Sequence, residues 1–255
     1  MKIDVFFTPA CVDEGTLSDK VVVVVDVLRA STTMITALEN GAKEIIPVAE
    51  IEEALKVATS RVAERPLLSG ERHGKVIQGF DLGNSPEEFS ASVVGEKSLV
   101  FCTTNGTRAI VKAKSAKVLV ICGFLNISTV KEFILKPDNL EYNLSILCAG
   151  KENRFSLEDT ICAGLLVDKL LTDKKGQAFL LSDSALAARI LYEKFRGNEL
   201  AALRDSEHGR YLAQLGFGKD IETAARIDAS QALPILEDSA IRLQKVEKQK
   251  LKRVD

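Results

Sequence analysis

Five consecutive valines, Val21 to Val25, run directly into an aspartate, Asp26. β-Branched side chains favour extended backbone. A run with no polar alternation has no face to offer water, so it reads as a strand buried on both sides of a parallel sheet. That reading also says where chemistry should sit. In open α/β sheets ligands bind beyond the carboxyl ends of the strands, so the loops that follow strands carry the functional residues.

Elsewhere short β-rich runs alternate with helical patterns. Strands are expected over 2–7, 21–27, 44–48, 67–69, 98–102, 117–122 and 142–148. Helices are expected over 32–40, with Gly41 as the stop, over 51–63, 107–114 and 126–135, and from the Ser156 cap to 171. Ser85-Pro86-Glu87-Glu88 is a helix opening, with Ser as cap, Pro in the first turn and Glu three after the cap. Beyond about 180 the pattern is mostly helical: 183–195, 199–205, 207–214 and 219–225. A short apolar run at 232–236 can return a strand to the sheet. A Lys-rich tail follows from 244 and is expected to fray. The expected fold is α/β: a three-layer α/β/α sandwich with a largely parallel sheet. Residues 1–255 form one domain in this reading, with two lobes, about 1–175 and 176–245, left open.

The 255 residues are 46% hydrophobic and 27% charged, which suits a globular core. A formal net charge of −2 gives no global field for nucleic acid or anionic membrane, so neither is an expected partner. The longest apolar run is far too short to span a bilayer, and the N-terminus lacks the pattern of a signal peptide. The five cysteines (Cys11, Cys102, Cys122, Cys148, Cys162) are odd in number and widely spaced, with no C-x-x-C pair. Reduced thiols in a cytoplasmic protein are the simpler reading. With only His73 and His208 present, a histidine-rich metal centre is excluded.

Four post-strand loops are unusually polar. The first, Asp26-Val27-Leu28-Arg29-Ala30-Ser31-Thr32-Thr33, offers a carboxylate, a guanidinium and three hydroxyls at a helix N-terminus, where anions bind. Asp26 can bind a metal or attack phosphorus; capping by Ser31, Thr32 or Asp26 is the plain alternative. The second runs from Gly70-Glu71-Arg72-His73-Gly74 to Asn84-Ser85-Pro86. There Glu71 suits a hard cation and Arg72 suits a carboxylate or sulfonate; a solvated loop with an ion pair is the alternative. Asn84 is a further substrate contact.

The third loop, Cys102-Thr103-Thr104-Asn105-Gly106-Thr107-Arg108, is a candidate oxyanion cradle. It also fits C-x₅-R, the spacing of cysteine-dependent phosphatases, although a strand-end cysteine is more often a small buried hydrophobe. The fourth runs from Cys148-Ala149-Gly150-Lys151 through Arg154 to Glu158-Asp159. Lys151 and Arg154 add positive charge, and one of the two carboxylates is expected at the metal unless both only serve the helix end. Asp220 and Asp228 are further candidate carboxylates, and either can be a helix cap instead. G-x-x-x-x-G-K-[ST], G-x-G-x-x-G after a strand, H-E-x-x-H and G-x-S-x-G are absent. The D-x-D of haloacid-dehalogenase phosphatases fails because Leu28 holds the second position.

Four blocks, DVLRASTT at 26–33, SGERHGKVIQGFDLGNSP at 69–86, TTNGTRA at 103–109 and CAG…FSLEDTICAG across 148–164, resemble the 2-phosphosulfolactate phosphatase family of coenzyme M biosynthesis. The resemblance runs in order over nearly the whole chain. It implies Mg²⁺-dependent hydrolysis of (2R)-2-phospho-3-sulfolactate to 3-sulfolactate and phosphate.

The division of labour follows from chemistry. A small phosphoester carrying three anionic groups needs a divalent cation and several fixed positive groups. Asp26, Glu71 and Asp159 are the expected Mg²⁺ ligands and, with Arg29, the catalytic set. Ser31, Thr32, Thr33, Arg72, Asn84, Thr103, Thr104, Asn105, Gly106, Thr107, Arg108 and Arg154 are the expected substrate contacts. Arg72, then Arg154, is assigned to the non-reacting anionic groups. Two rivals stand: a metal-independent phosphatase using Cys102 and Arg108, and a module that binds anionic metabolites without turnover. A homo-oligomer is left open.

Overall fold

The computed structural model describes residues 1–61 and 64–244. The end of the helix expected over 51–63 and the Lys-rich tail thus lie partly or wholly outside the described residues. Eleven strands form one sheet: β1 (Lys2–Phe6), β2 (Val21–Val25), β3 (Glu44–Pro47), β4 (Leu67–Arg72), β5 (Lys75–Val76), β6 (Ser98–Cys102), β7 (Val118–Cys122), β8 (Leu144–Cys148), β9 (Leu180–Leu181), β10 (Pro234–Glu237) and β11 (Ala240–Leu243). The helices are α1 (Ala30–Glu39), α2 (Ile51–Ser60), α3 (Ala91–Val94), α4 (Gly106–Lys112), α5 (Ile127–Ile134), α6 (Pro137–Leu140), α7 (Leu157–Thr172), α8 (Asp183–Phe195), α9 (Glu199–Asp205), α10 (Glu207–Gln214) and α11 (Gly218–Ala224). The layered α/β fold expected from the alternation is present. No described helix is long and apolar enough to cross a membrane.

The strand order is β5-β4-β6-β3-β11-β10-β7-β2-β8-β1-β9. Two parallel blocks stand out, β4-β6-β3 and β7-β2-β8-β1-β9. Between them lies the hairpin of β10 and β11, antiparallel to both neighbours. The blocks therefore run in opposite senses along the ladder. Residues after β2, β4 and β6 nevertheless meet in one cleft, so the carboxyl ends of both blocks come together.

The valine run shows why the sheet is layered. All five valines are buried. Val21, Val23 and Val25 pack into one core with α5, α7, α8 and residues of α9–α11. Val22 and Val24 face a second core built around Met34 and Leu38 of α1 and Ala109 and Ile110 of α4. That second core also takes Ile45 of β3 and Leu99 and Phe101 of β6. The two blocks thus wrap the short helices α1 and α4, and both helices begin at the sheet's carboxyl ends.

Several boundaries follow the local chemistry. Gly41 takes φ +91 just past α1, as a helix stop requires. Ser156 accepts from the Asp159 N–H at the start of α7. Two findings differ from the sequence reading. The strand expected over 67–69 continues to Arg72 and turns through His73 (φ 51) and Gly74 (φ 72) into β5, a two-residue hairpin with both central residues left-handed. Ser85-Pro86 opens only a 3₁₀ turn, Pro86–Glu88.

Candidate functional site

Asp26 leaves β2 and folds back on the start of α1. Its backbone N–H donates to Ser31 Oγ at 2.9 Å, and its Oδ1 accepts from the Ala30 N–H at 3.2 Å. Thr32 Oγ1 donates to the Val27 carbonyl and Thr33 Oγ1 to the Asn84 carbonyl, both at 2.8 Å. The three hydroxyls expected to cradle an anion are therefore buried and spend their bonds inside the protein. Gly106, at the first turn of α4, lies so close that a Cβ there would sit 2.5 Å from Asp26 Oδ2. Only glycine lets that backbone approach the carboxylate.

Glu71 joins two loops. Its Oε1 accepts from the Thr104 N–H and its Oε2 from the Gly74 N–H, each at 2.9 Å. Asp159 does the same on the other side, accepting from the Val27 N–H at 2.8 Å and the Gly150 N–H at 3.0 Å. Arg29 is buried and donates to Asp220 Oδ2 at 2.7 Å and to the Gly74 carbonyl at 3.0 Å. Its guanidinium lies 4.2 Å over the Phe217 ring. Asp220 also accepts from Ser85 Oγ at 2.7 Å. One buried ion pair thereby ties the loop after β2 to the β4–β5 hairpin, the Pro86 turn and α11.

These groups open on one cleft. It is lined by Asp26, Leu28, Arg29, Glu71, His73, Gly74, Asn84, Thr103, Thr104, Asn105, Lys151, Glu152, His208 and Tyr211. Two of its lining atoms, Asn84 Oδ1 and Thr104 Oγ1, are buried oxygens with no partner among the described residues. Buried polar atoms are otherwise nearly always paired, which makes these two candidate ligand contacts; the third such atom, Ser145 Oγ in β8, lies outside the cleft. The far wall comes from the C-terminal helices. His208 Nδ1 lies 3.4 Å from Glu158 Oε1. Tyr211 donates its hydroxyl to the His73 carbonyl at 2.9 Å. Lys151 Nζ stands 2.7 Å from Glu207 Oε1 and 5.4 Å from the Tyr211 ring centre.

Burial dominates the electrostatics. It pushes the Asp26 carboxyl up to about 6; the charges of Glu71 and Glu158 add to the rise, while His208 and the Ala30 N–H oppose it. Asp159 is raised well above the carboxylate range by burial first, then by Asp26 and Glu158. Burial also acts to raise Glu158, but the hydrogen bond and charge of His208 outweigh it and hold Glu158 below its ordinary value.

The expected residues divide by strand geometry. Glu71 and Arg72 are neighbours in β4, so they face opposite sides of the sheet. Glu71 meets the cleft, whereas Arg72 donates to the Cys102 and Ala49 carbonyls and, at 3.3 Å, to Cys102 Sγ. The assignment of Arg72 to a substrate anion is corrected accordingly. Arg108 pairs with Glu50 on the surface at 3.1 Å, and Arg154 stays exposed on the rim beside Glu152 and Glu207. Thr107 is buried and bonded to Thr103.

Cys102 faces a separate small core with Leu68 and Val100. Burial raises its thiol pKa, and Arg108 points elsewhere, so the C-x₅-R pair does not assemble as a thiolate site. Nor do Asp26, Glu71 and Asp159 form a three-carboxylate cage. Asp159 does not line the cleft, and among the described residues no group of three or more His, Cys, Asp or Glu side chains is arranged to hold a metal.

The sequence reading missed His208 and Tyr211, which lie in a helical segment rather than after a strand. It left Asp220 open between a functional carboxylate and a helix cap, since nothing local signals a partner 191 residues away.

A family model described as 2-phosphosulpholactate phosphatase matches residues 6–239. A protein of Caldicellulosiruptor saccharolyticus named as a probable 2-phosphosulfolactate phosphatase is 44% identical over 231 residues, covering 89% of this chain and 93% of the relative. Relatives with the same name in Pseudothermotoga lettingae and Caldanaerobacter subterraneus subsp. tengcongensis are 40% and 37% identical, over 94% and 95% of this chain and 98% of each relative. With near-complete coverage on both sides and an anion-sized polar cleft at the carboxyl ends of its strands, this chain belongs to the 2-phosphosulfolactate phosphatase family.

Proposed function

We propose that the chain is a phosphoric monoester hydrolase that releases phosphate from 2-phospho-3-sulfolactate with the help of Mg²⁺. The observation that carries this reading is the mixed charge of the cleft. Asp26 and Glu71 lie on its floor beside two unpartnered oxygens, while Arg29, Lys151 and His208 line it too. A site built only to hold anions would exclude the carboxylates. A phosphomonoester carries about −1.5 to −2 near neutrality, so a cation between it and the two acids removes the repulsion.

The donor set suits magnesium, which takes one or two carboxylates and completes its shell with water and phosphate oxygens. Asp26 and Glu71 would hold it, with Asn84 Oδ1 free to bond a coordinated water. When bound, the ion neutralises charge on the phosphoryl oxygens. The protein's own groups do the positioning. Thr104 Oγ1 can donate to a phosphoryl oxygen. Arg29, locked by Asp220, presents a fixed guanidinium to the anionic substrate, and Lys151 meets the carboxylate or sulfonate from the rim. The free cysteines fit a reducing cytoplasm, where we place the protein.

The test is phosphate release from 2-phosphosulfolactate, with EDTA and then with Mg²⁺ restored. Release that stops in EDTA and returns with Mg²⁺ is expected. Unchanged release in EDTA removes the metal from the reading, and no release under either condition removes the substrate.

A further inference from the structure

The cleft is lined by an imidazole, His208, backed by a buried carboxylate, Glu158, to which neither the fold nor the metal assigns a task. Glu158 is 2% exposed, in the first turn of α7, and its Oε1 lies 3.4 Å from His208 Nδ1. A carboxylate that only served the helix dipole would need no imidazole, and a surface histidine would need no buried carboxylate. The Glu158 carboxylate faces the ring at Nδ1. The other nitrogen, Nε2, has no partner among the described residues, and the ring lines the cleft.

The approach is built in. Ser206 Oγ accepts from the Gly209 N–H at 2.9 Å and starts α10 one residue before Glu207. A Cβ at Gly209 would fall 1.8 Å from the Leu203 carbonyl oxygen, so α10 can pack this tightly on the end of α9 only with glycine there. The ring of His208 is thereby presented to the cleft that Asp26, Glu71 and Thr104 also line.

We propose that His208 is the general acid of the reaction and that Glu158 is its positioning residue. This rests on the phosphatase reading above. The leaving group of an alkyl phosphate is a secondary alkoxide, a poor one unless protonated as it departs. With the phosphoryl group on the floor, the ester oxygen and the rest of the substrate project towards α10. The bond from phosphorus to that oxygen breaks with its electron pair staying on oxygen, which takes the proton from His208 Nε2. A new bond forms from phosphorus to the oxygen of water, whose displaced proton passes to solvent, and the imidazole regains a proton from solvent. The sum is monoester plus water giving alcohol plus hydrogen phosphate.

A leaving group that needs no proton separates this role from a structural one. His208→Gln should lose about 10²- to 10⁴-fold in kcat on 2-phosphosulfolactate, the usual worth of a general acid. It should lose less than about tenfold on acetyl phosphate, whose leaving carboxylate departs unaided. Equal losses on both, or near wild-type kcat on phosphosulfolactate, overturn the proposal. A second measurement does not depend on acetyl phosphate being accepted. Glu158→Gln should lower kcat with little change in KM, and the double variant should be no slower than His208→Gln alone. Multiplying losses would mean that the two residues act separately, against the proposal. Wild-type enzyme inert towards phosphosulfolactate would sink the substrate assignment; an active wild type with an active His208→Gln variant would sink only the general acid.

Discussion

The floor and the far wall of the cleft are made differently. The floor comes from loops after β2, β4 and β6, and its carboxylates are held largely by backbone: Asp26 by the Ala30 N–H, Glu71 by the Thr104 and Gly74 N–H groups. The wall comes from the C-terminal helices and the turn after β8, and its groups are held by side chains: His208 by Glu158, Lys151 by Glu207. Backbone donors cannot be mutated away and are aimed by the strands. Side-chain pairs are adjustable and are lost with one substitution. The strand-end loops therefore aim the floor groups through backbone, and the helices supply the wall through side-chain pairs.

If the floor carries the chemistry, Asp26→Asn should give the largest effect: a folded protein with kcat on phosphosulfolactate reduced by about 10³-fold or more at saturating Mg²⁺. Near wild-type turnover would erase the contrast between floor and wall. Breaking the buried ion pair that spans both regions should come next. Asp220→Ala leaves the Arg29 guanidinium buried and unpaired, at a cost of about 3–5 kcal/mol in chemical denaturation. A loss below about 1 kcal/mol would mean that Arg29 finds water or another partner.

The floor can also be probed through stability. The Asp26 carboxyl, raised to about 6, binds its proton more tightly folded than unfolded. Wild-type stability measured in EDTA should therefore rise as pH falls from 8 through 6, and this contribution should level off near pH 4. Asp26→Asn carries no such charge, so it should melt higher than wild type at pH 8 and lose that advantage as pH falls from 6 to about 4. A pH-independent difference would reject the buried-charge account. The smallest effect belongs to Cys102→Ser, outside both regions: activity within about tenfold of wild type. A folded but inactive variant would return the thiol to the chemistry.

What the sequence made legible follows the same division. The valine run, Asp26 at its end, the Ser156 cap and α8 over Asp183–Phe195 were readable because each is a local pattern. The β10–β11 hairpin was half-read. Its turn uses Asp238 (φ 47) and Ser239 (φ 67) rather than an Asn-Gly signal, and β11 is only four residues long. Arg72 was misplaced because β4 was read as ending at 69; once the strand reaches 72, alternation turns Arg72 away from Glu71. His208, Tyr211 and Asp220 were invisible as site residues because long-range packing alone brings them to the cleft.

The hairpin that separates the two parallel blocks also sets an order of assembly. Ile241 pairs with Ile45 and Ile235 with Val120, so the sheet closes through a segment made after every strand of the two parallel blocks. Until then β3 and β7 are open edges, rich in isoleucine and valine, of the kind that recruits other chains. Further clasps arrive with the same segment: Asn126 Nδ2 donates to the Ala232 carbonyl, Ser230 Oγ to Glu39, and Arg242 pairs with buried Glu44. A nascent chain stalled before residue 234 would carry every floor residue of the cleft yet present two sticky seams. For this protein, addition of the hairpin and protection of the two edges are one event, and a variant truncated before residue 234 should fail by precipitation before it fails by inactivity.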